Sequence, residues 1–241
     1  MLTSHVVTAQ DINSESSTNT GSLIGQVAST LDGKTFAYSK SGGALTRGQL
    51  TEPVAVTANY ANRAMTGYTA AIKDKSVTVV LGTTASADAF VGFQMVVNDS
   101  TGEGQGTYYI TGNTAATAGN SNITTLKLKD ALRVALTAVS DVTIQPSWQS
   151  TTIQHTAVVT LPSAGVPCIS VTSGYYFWNQ VGGLASVLSD GAVTKGAEAI
   201  PSDATAGAVE IRVDATVVRA VGYAPELTVT TEYSPLMLTL A

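Results

Sequence analysis

Short stretches of alternating apolar and polar side chains recur along the chain, without the long amphipathic stripes that helices require. The clearest runs from Ile123 to Leu128, where Ile123, Leu126 and Leu128 punctuate Thr and Lys. A period near two puts such side chains on opposite faces of a strand. Thr35 to Ser39 alternates around Phe36 and Tyr38, and Ser76 to Leu81, Phe93 to Val97 and Thr107 to Thr111 read the same way. Val54 to Ala58 and Tyr68 to Ile72 are weaker, and Val139 to Ile144 closes the first half. The second half offers Ala157 to Leu161, Cys168 to Val171, Tyr175 to Gln180, Val209 to Val213, Val217 to Tyr223 and Leu236 to Leu240. Gly, Pro, Asn and Asp separate these segments, and only Ala85 to Phe90 and Asp130 to Leu136 have room for a helical turn or two. Many short strands between turn residues predict an all-β protein of sandwich or barrel type. A parallel α/β fold needs a helix after nearly every strand and is excluded.

Composition sharpens this picture. The 241 residues include 35 Thr and 22 Gly, the residues of strands and turns respectively. Charged residues reach only 12%, against about 25% in an ordinary soluble domain. A coiled coil and a wholly disordered chain are both excluded, the first for want of heptads and the second by the high apolar content. Pro146 and the polar run from Gln149 to Thr152 mark a boundary. The expected organisation is an extended N-terminal arm over 1–25, a first antiparallel β domain over 26–147 and a second over 148–241. The arm rests on the Ser/Thr/Asn-rich stretch from Thr8 to Ser22, with Val6, Val7, Ile12, Leu23 and Ile24 as isolated apolar anchors. One echo links the halves: Gly43-Ala-Leu-Thr-Arg-Gly48 before Pro53, and Gly191-Ala-Val-Thr-Lys-Gly196 before Pro201. Glycines at such turns take positive φ while the aliphatic residue faces inward, and the repetition suggests two similar β domains.

The net charge is −5, and no basic cluster exceeds the pairs Lys73/Lys75 and Lys127/Lys129. Nucleic-acid binding is therefore not expected, since it requires a basic stripe. No window approaches the ~20 apolar residues of a membrane helix, and the N-terminal residues carry no cationic, apolar leader. A soluble protein of a reducing compartment is expected. The single cysteine, Cys168, excludes an intrachain disulfide and reads as a buried, reduced packing residue.

Catalytic chemistry finds few candidates. His5 lies near the terminus, and His155, in a Thr-rich run, reads as a solvent-facing strand position. No Gly-x-Ser-x-Gly elbow accompanies it, and two distant His with one Cys do not make a zinc site. Gly102-Glu-Gly-Gln-Gly106 is followed by the strand-like Thr107-Tyr-Tyr-Ile-Thr111 rather than by a helix, so it reads as a hairpin loop and not as a dinucleotide-phosphate loop. No enzyme activity, cofactor or metal is expected. In the aromatic run Tyr175-Tyr176-Phe177-Trp178, Tyr176 and Trp178 share one strand face and Tyr175 and Phe177 the other, so it reads as core plus subunit interface.

The stretch Phe90-x-Gly92-x-x-x-Val96-Val97-Asn98-Asp99-x-x-Gly102-Glu103-Gly104, then Tyr108-Tyr109-Ile110, resembles auxiliary capsid proteins of tailed bacteriophages. So do Leu128-x-Asp130-x-Leu132-Arg133-x-Ala135-Leu136, Gly174-Tyr175-Tyr176-Phe177-Trp178-x-Gln180, Leu188-x-Asp190-Gly191, and Val221-Gly222-Tyr223-Ala224 near Thr231-Glu232-Tyr233. The resemblance spans residues 30–241 and implies a decoration, or cement, protein: all-β, a homotrimer, bound outside the major capsid shell of a virion. It carries over no catalytic residue. Its implied partners are the major capsid protein and further copies of itself. A head fibre or glycan-binding receptor protein is the alternative.

Overall fold

The computed structural model describes residues 6–99, 104, 106–159, 161–213 and 219–240. In chain order the strands are β1 (Val27–Ser29), β2 (Thr35–Lys40), β3 (Thr51–Pro53), β4 (Arg63–Ala64), β5 (Ser76–Val80), β6 (Gln94–Asp99), β7 (Thr107–Asn113), β8 (Ile123–Leu128), β9 (Asp141–Gln145), β10 (Thr152–Gln154), β11 (Val166–Pro167), β12 (Tyr176–Leu188), β13 (Glu198–Pro201), β14 (Val209–Ile211), β15 (Gly222–Tyr223) and β16 (Tyr233–Thr239). One four-residue helix, α1 (Ala9–Ile12), and a 3-10 turn at Ala118–Asn120 accompany them. The protein is thus nearly all-β, and every ladder between these strands is antiparallel.

Residues 55–147 form one unit, a six-stranded sheet in the order β4-β9-β6-β7-β8-β5. Its outermost strands are brought together: Arg63 on β4 donates from Nε to the Val80 carbonyl on β5 at 3.1 Å, so the sheet nearly closes into a barrel. Inward positions alternate as the sequence pattern requires. Val77 and Val79 on β5, Leu126 and Leu128 on β8, and Val142 and Ile144 on β9 are buried, while their neighbours are half-buried or exposed. Neither of the two segments with room for a helical turn forms one. Asn113 intervenes in the first: its Oδ1 accepts from Phe90 N at 2.9 Å, and its Nδ2 donates to the Ser86 carbonyl at 3.0 Å. Those long-range bonds, with Asp88 at φ +58°, hold 85–90 in irregular backbone. In the second, Leu132 and Leu136 are core anchors, and Leu136 exchanges both backbone hydrogen bonds with Ala70.

Residues 1–54 and 148–241 belong to the other unit. Its main sheet runs β1-β2-β12-β16-β15-β13-β14, with β11 also against β12, and β3 and β10 form a separate two-stranded ladder. This division differs from the expected domains 26–147 and 148–241. Residues 26–54 join the C-terminal half, because β2 pairs along its whole length with β12, from Tyr176↔Lys40 to Gly182↔Thr35. The segment 55–147 is therefore an insertion between β3 and β10. The repeated Gly-Ala-aliphatic-Thr-basic-Gly blocks consequently lie in one unit and do not mark two similar domains. Their local reading holds: Leu45 and Val193 are buried, and Gly48 and Gly196 have φ of +69° and +79°. Each follows a threonine whose carbonyl accepts a bond three residues on, from Gln49 N and Ala197 N.

β12 is the axis of this unit. Its first half pairs with β2 and its second with β16, and the register shifts between Gln180 and Gly182. At the shift Gly183 has φ +81°, and a Cβ there would sit 3.1 Å from the Lys34 Cα, so glycine is needed for both conformation and space. The core beyond the shift is built of small aliphatic side chains, among them Val187, Val193, Ala199, Val209 and Leu236.

Candidate functional site

The unit formed by residues 1–54 and 148–241 buries polar chemistry around the short ladder β3–β10. All three residues of β3 are buried, and Glu52 lies opposite Ile153. His155 follows β10 directly, its backbone N donating to the Leu50 carbonyl at 2.9 Å. This turns the imidazole inward: His155 is 1% exposed and Glu52 3%. His155 Nδ1 lies 2.8 Å from the Thr156 carbonyl, which can only accept, so Nδ1 carries a proton. Nε2 then faces Glu52 Oε2 at 3.5 Å. Among the described residues neither of these two buried atoms has a hydrogen-bond partner. The sequence reading of His155 as a solvent-facing strand position is corrected here. It sits one residue beyond the ladder, where strand alternation no longer sets direction. Sealed from solvent, the pair ties β3 to β10 and presents no base to an outside substrate.

Hydrogen bonds extend this layer across β12 and β2. Asn179 Nδ2 donates to Thr51 Oγ1 at 2.9 Å, Thr51 Oγ1 donates to the Gly165 carbonyl at 3.0 Å, Ser39 Oγ donates to Gln149 Oε1 at 2.5 Å, and Gln149 Nε2 donates to the Ala164 carbonyl at 2.8 Å. Gly165 is needed for space, since a Cβ there would lie 2.6 Å from the Asn179 side chain. Such a network fixes register where apolar contacts alone would allow slippage.

The aromatic run sits at the start of β12, apart from Tyr175 just before it, and its two faces are those the period predicts. Tyr176 and Trp178 both pack on Tyr38, at 5.9 and 5.1 Å between ring centroids. Phe177 packs with Leu45 and Val171 on the other face, and Tyr175 joins that cluster. As an interface between subunits the run is not available in the form expected. Phe177 and Trp178 are buried within their own chain, and Tyr175 and Tyr176 are half-buried.

What covers them is the N-terminal segment itself. Ser16 and Tyr176 exchange backbone bonds at 2.9 and 2.8 Å, Glu15 accepts from Thr172 N and Oγ1 at 2.6 and 2.8 Å, and Thr20 N donates to the Tyr38 hydroxyl at 3.1 Å. A capping box between Thr8 and Asp11 starts α1. Of the expected arm anchors, Val7 and Ile24 are buried, Ile12 is half-buried, and Val6 and Leu23 are exposed. Residues 6–25 therefore lie against their own unit rather than extending from it as an arm. The sequence missed this because the docking contacts are backbone and carboxylate bonds, which leave no apolar periodicity.

Two clefts open on the same unit. One, of about 420 Å³, is lined by Ala157, Val158, Val159, Ile200, Pro201 and Val213 with Asp203 and Glu210. Burial, followed by the charges of Asp203 and Asp190, pushes the Glu210 carboxyl above its usual range. The other, of about 320 Å³, lies beside Arg47, Cys168 and Tyr233. Cys168 is half-buried rather than buried, and its thiol donates to Gln180 Oε1 at 3.7 Å.

The Gly-rich loop lies partly outside the described residues, which include Gly104 and Gly106 but not Gly102, Glu103 or Gln105. Its flanking strands β6 and β7 pair antiparallel, Gln94 opposite Tyr109, as a hairpin requires. Among the described residues no group of three or more His, Cys, Asp or Glu is placed to hold a metal ion, and no helix is long and apolar enough to cross a membrane. No family model, curated protein or solved structure matches this chain.

Proposed function

We propose that the protein is a structural decoration protein of a tailed-bacteriophage head, bound as a homotrimer to the outside of the major capsid shell and stabilising it. The motif resemblance over residues 30–241 supports this reading, together with an all-β body of low charge. The observation that carries it is the apolar cleft at Val158. Val158 and Val213 are 71% and 58% exposed beside Ile200 and Pro201, with the carboxylates of Asp203 and Glu210 at hand. Covering one such side chain contributes roughly 1.5–3 kcal/mol, a modest contact that trimeric repetition converts into tight attachment. Because Phe177 and Trp178 are occupied internally, contacts to the shell and between copies fall to exposed apolar positions of this kind.

Co-sedimentation with capsids stripped of their auxiliary proteins tests the reading. Saturable, stoichiometric binding is expected, with a solution mass of three times 24.7 kDa. Val158→Asp should weaken binding severalfold while leaving the melting temperature in place. Failure of the unaltered protein to bind bare capsids, with specific binding to a glycan array instead, would replace this reading with a receptor-binding one.

A further inference from the structure

The cleft beside Arg47 carries chemistry that attachment to a shell does not use. Its floor is apolar: Val166, Pro167 and Ala185 are buried. Its volume, about 320 Å³, falls at the lower end of the roughly 300–1,000 Å³ of small-molecule sites. Each polar side chain around it can donate, and Arg47 can do nothing else. Gln180 is already committed, its Nε2 donating to the Gly182 and Leu184 carbonyls at 3.1 and 3.0 Å and its Oε1 accepting from the Cys168 thiol. That leaves Arg47, Tyr233 and Ser186 facing the space. Among the described residues no carboxylate lies within ion-pair distance of Arg47, whose salt bridges would otherwise join those of Lys34, His155 and Arg212. Burial pushes the Cys168 thiol up, so it stays neutral and adds no competing negative charge.

The tyrosine is held in place by the turn that carries the arginine. A Cβ at Gly48 would lie 2.7 Å from Tyr233 Cε1, so the ring rests directly on the Gly48 backbone, whose φ of +69° a side chain would also oppose. The Thr46–Gln49 turn thus carries the arginine and backs the tyrosine ring. We propose that this cleft binds a small monocarboxylate with an apolar body. Arg47 takes the carboxylate through its planar N–H fork, Tyr233 and Ser186 donate to it, and the body lies over Val166, Pro167 and Ala185. Local charge is decisive here, because a chain of net charge −5 offers an anion no general attraction.

Cys168, the one cysteine of the chain, supplies the readout. The rate of its alkylation by iodoacetamide is measured on the intact protein with 4-phenylbutyrate and, separately, with the uncharged 4-phenylbutyramide. Saturable protection by the acid and little by the amide is expected. Arg47→Gln, at an exposed position, should raise the half-saturating concentration about tenfold or more, since a charged hydrogen-bonded pair is lost. Calorimetric titration should rank the same three cases in the same order. Equal protection by acid and amide, undiminished protection in Arg47→Gln, or no protection and no heat at tens of millimolar overturns the assignment. Capsid binding enters none of these measurements, so the two readings stand or fall separately.

Discussion

Removing either His155 or Glu52 leaves the other as a buried, uncompensated polar group, and this asymmetry decides how the site responds to mutation. The pair is sealed at 1% and 3% exposure, and breaking a buried pair costs about 3–5 kcal/mol while replacing both partners costs much less. His155→Ala should therefore lower unfolding stability by about that amount. Adding Glu52→Gln should restore part of the loss, measured by urea unfolding of the two variants side by side. If the double variant is the less stable of the two, the residues do not depend on each other. The sequence concealed this pair because a lone histidine among threonines carries no sign of its direction. Only the backbone bond from His155 N to the Leu50 carbonyl turns it inward.

At the scale of elements, β12 shows what the pattern reveals and what it hides. The run Tyr175 to Gln180 reads as a strand, and Tyr176 and Trp178 share a face against Tyr38. Its continuation to Leu188 across Gly182 and Gly183 was not legible, since two adjacent glycines read as a turn. Here they make the register shift at which the strand changes partner from β2 to β16. Trp178 thereby becomes an interior residue, 7% exposed. Trp178→Ala should cost about 3–5 kcal/mol of fold stability through the cavity left against Tyr38. The decisive feature is concentration: the loss should be the same at low and high protein concentration. A loss that vanishes on concentrating the protein would return Trp178 to an interface between copies.

On the scale of the whole molecule, residues 55–147 are a contiguous segment with their own core and a sheet whose outermost strands meet through Arg63 and Val80. The chain leaves and re-enters the other unit at neighbouring points, since Val54 N donates to the Thr151 carbonyl at 3.1 Å and Pro53 lies opposite Thr152. The segment 55–147 expressed alone should thus fold and unfold cooperatively, as read by tryptophan-independent circular dichroism and calorimetry. Joining residue 54 to 148 through a short Gly/Ser linker should leave the remaining unit folded. Non-cooperative melting of the isolated segment would mean that its core depends on the rest of the chain.

By itself the sequence determined the class of the protein. Alternation of period two in β2, β5, β7 and β8, turn residues between strands and low charge leave little besides antiparallel sheet, because these are local properties each segment carries with it. The inward Leu45 and Val193 and the positive φ of Gly48 and Gly196 were legible for the same reason. Only the tertiary structure decided which strands pair. A strand's pattern states which face is buried but not against what, so nothing local placed β2 beside β12 rather than among residues 55–147. Nor could it bring Glu52 to His155, lay the N-terminal segment over Tyr176, or gather Arg47, Cys168 and Tyr233 around one cleft. Those meetings depend on contacts between residues about 60 to 190 positions apart, whose closure is set by the sum of the core and the ladders rather than by any segment's own preference.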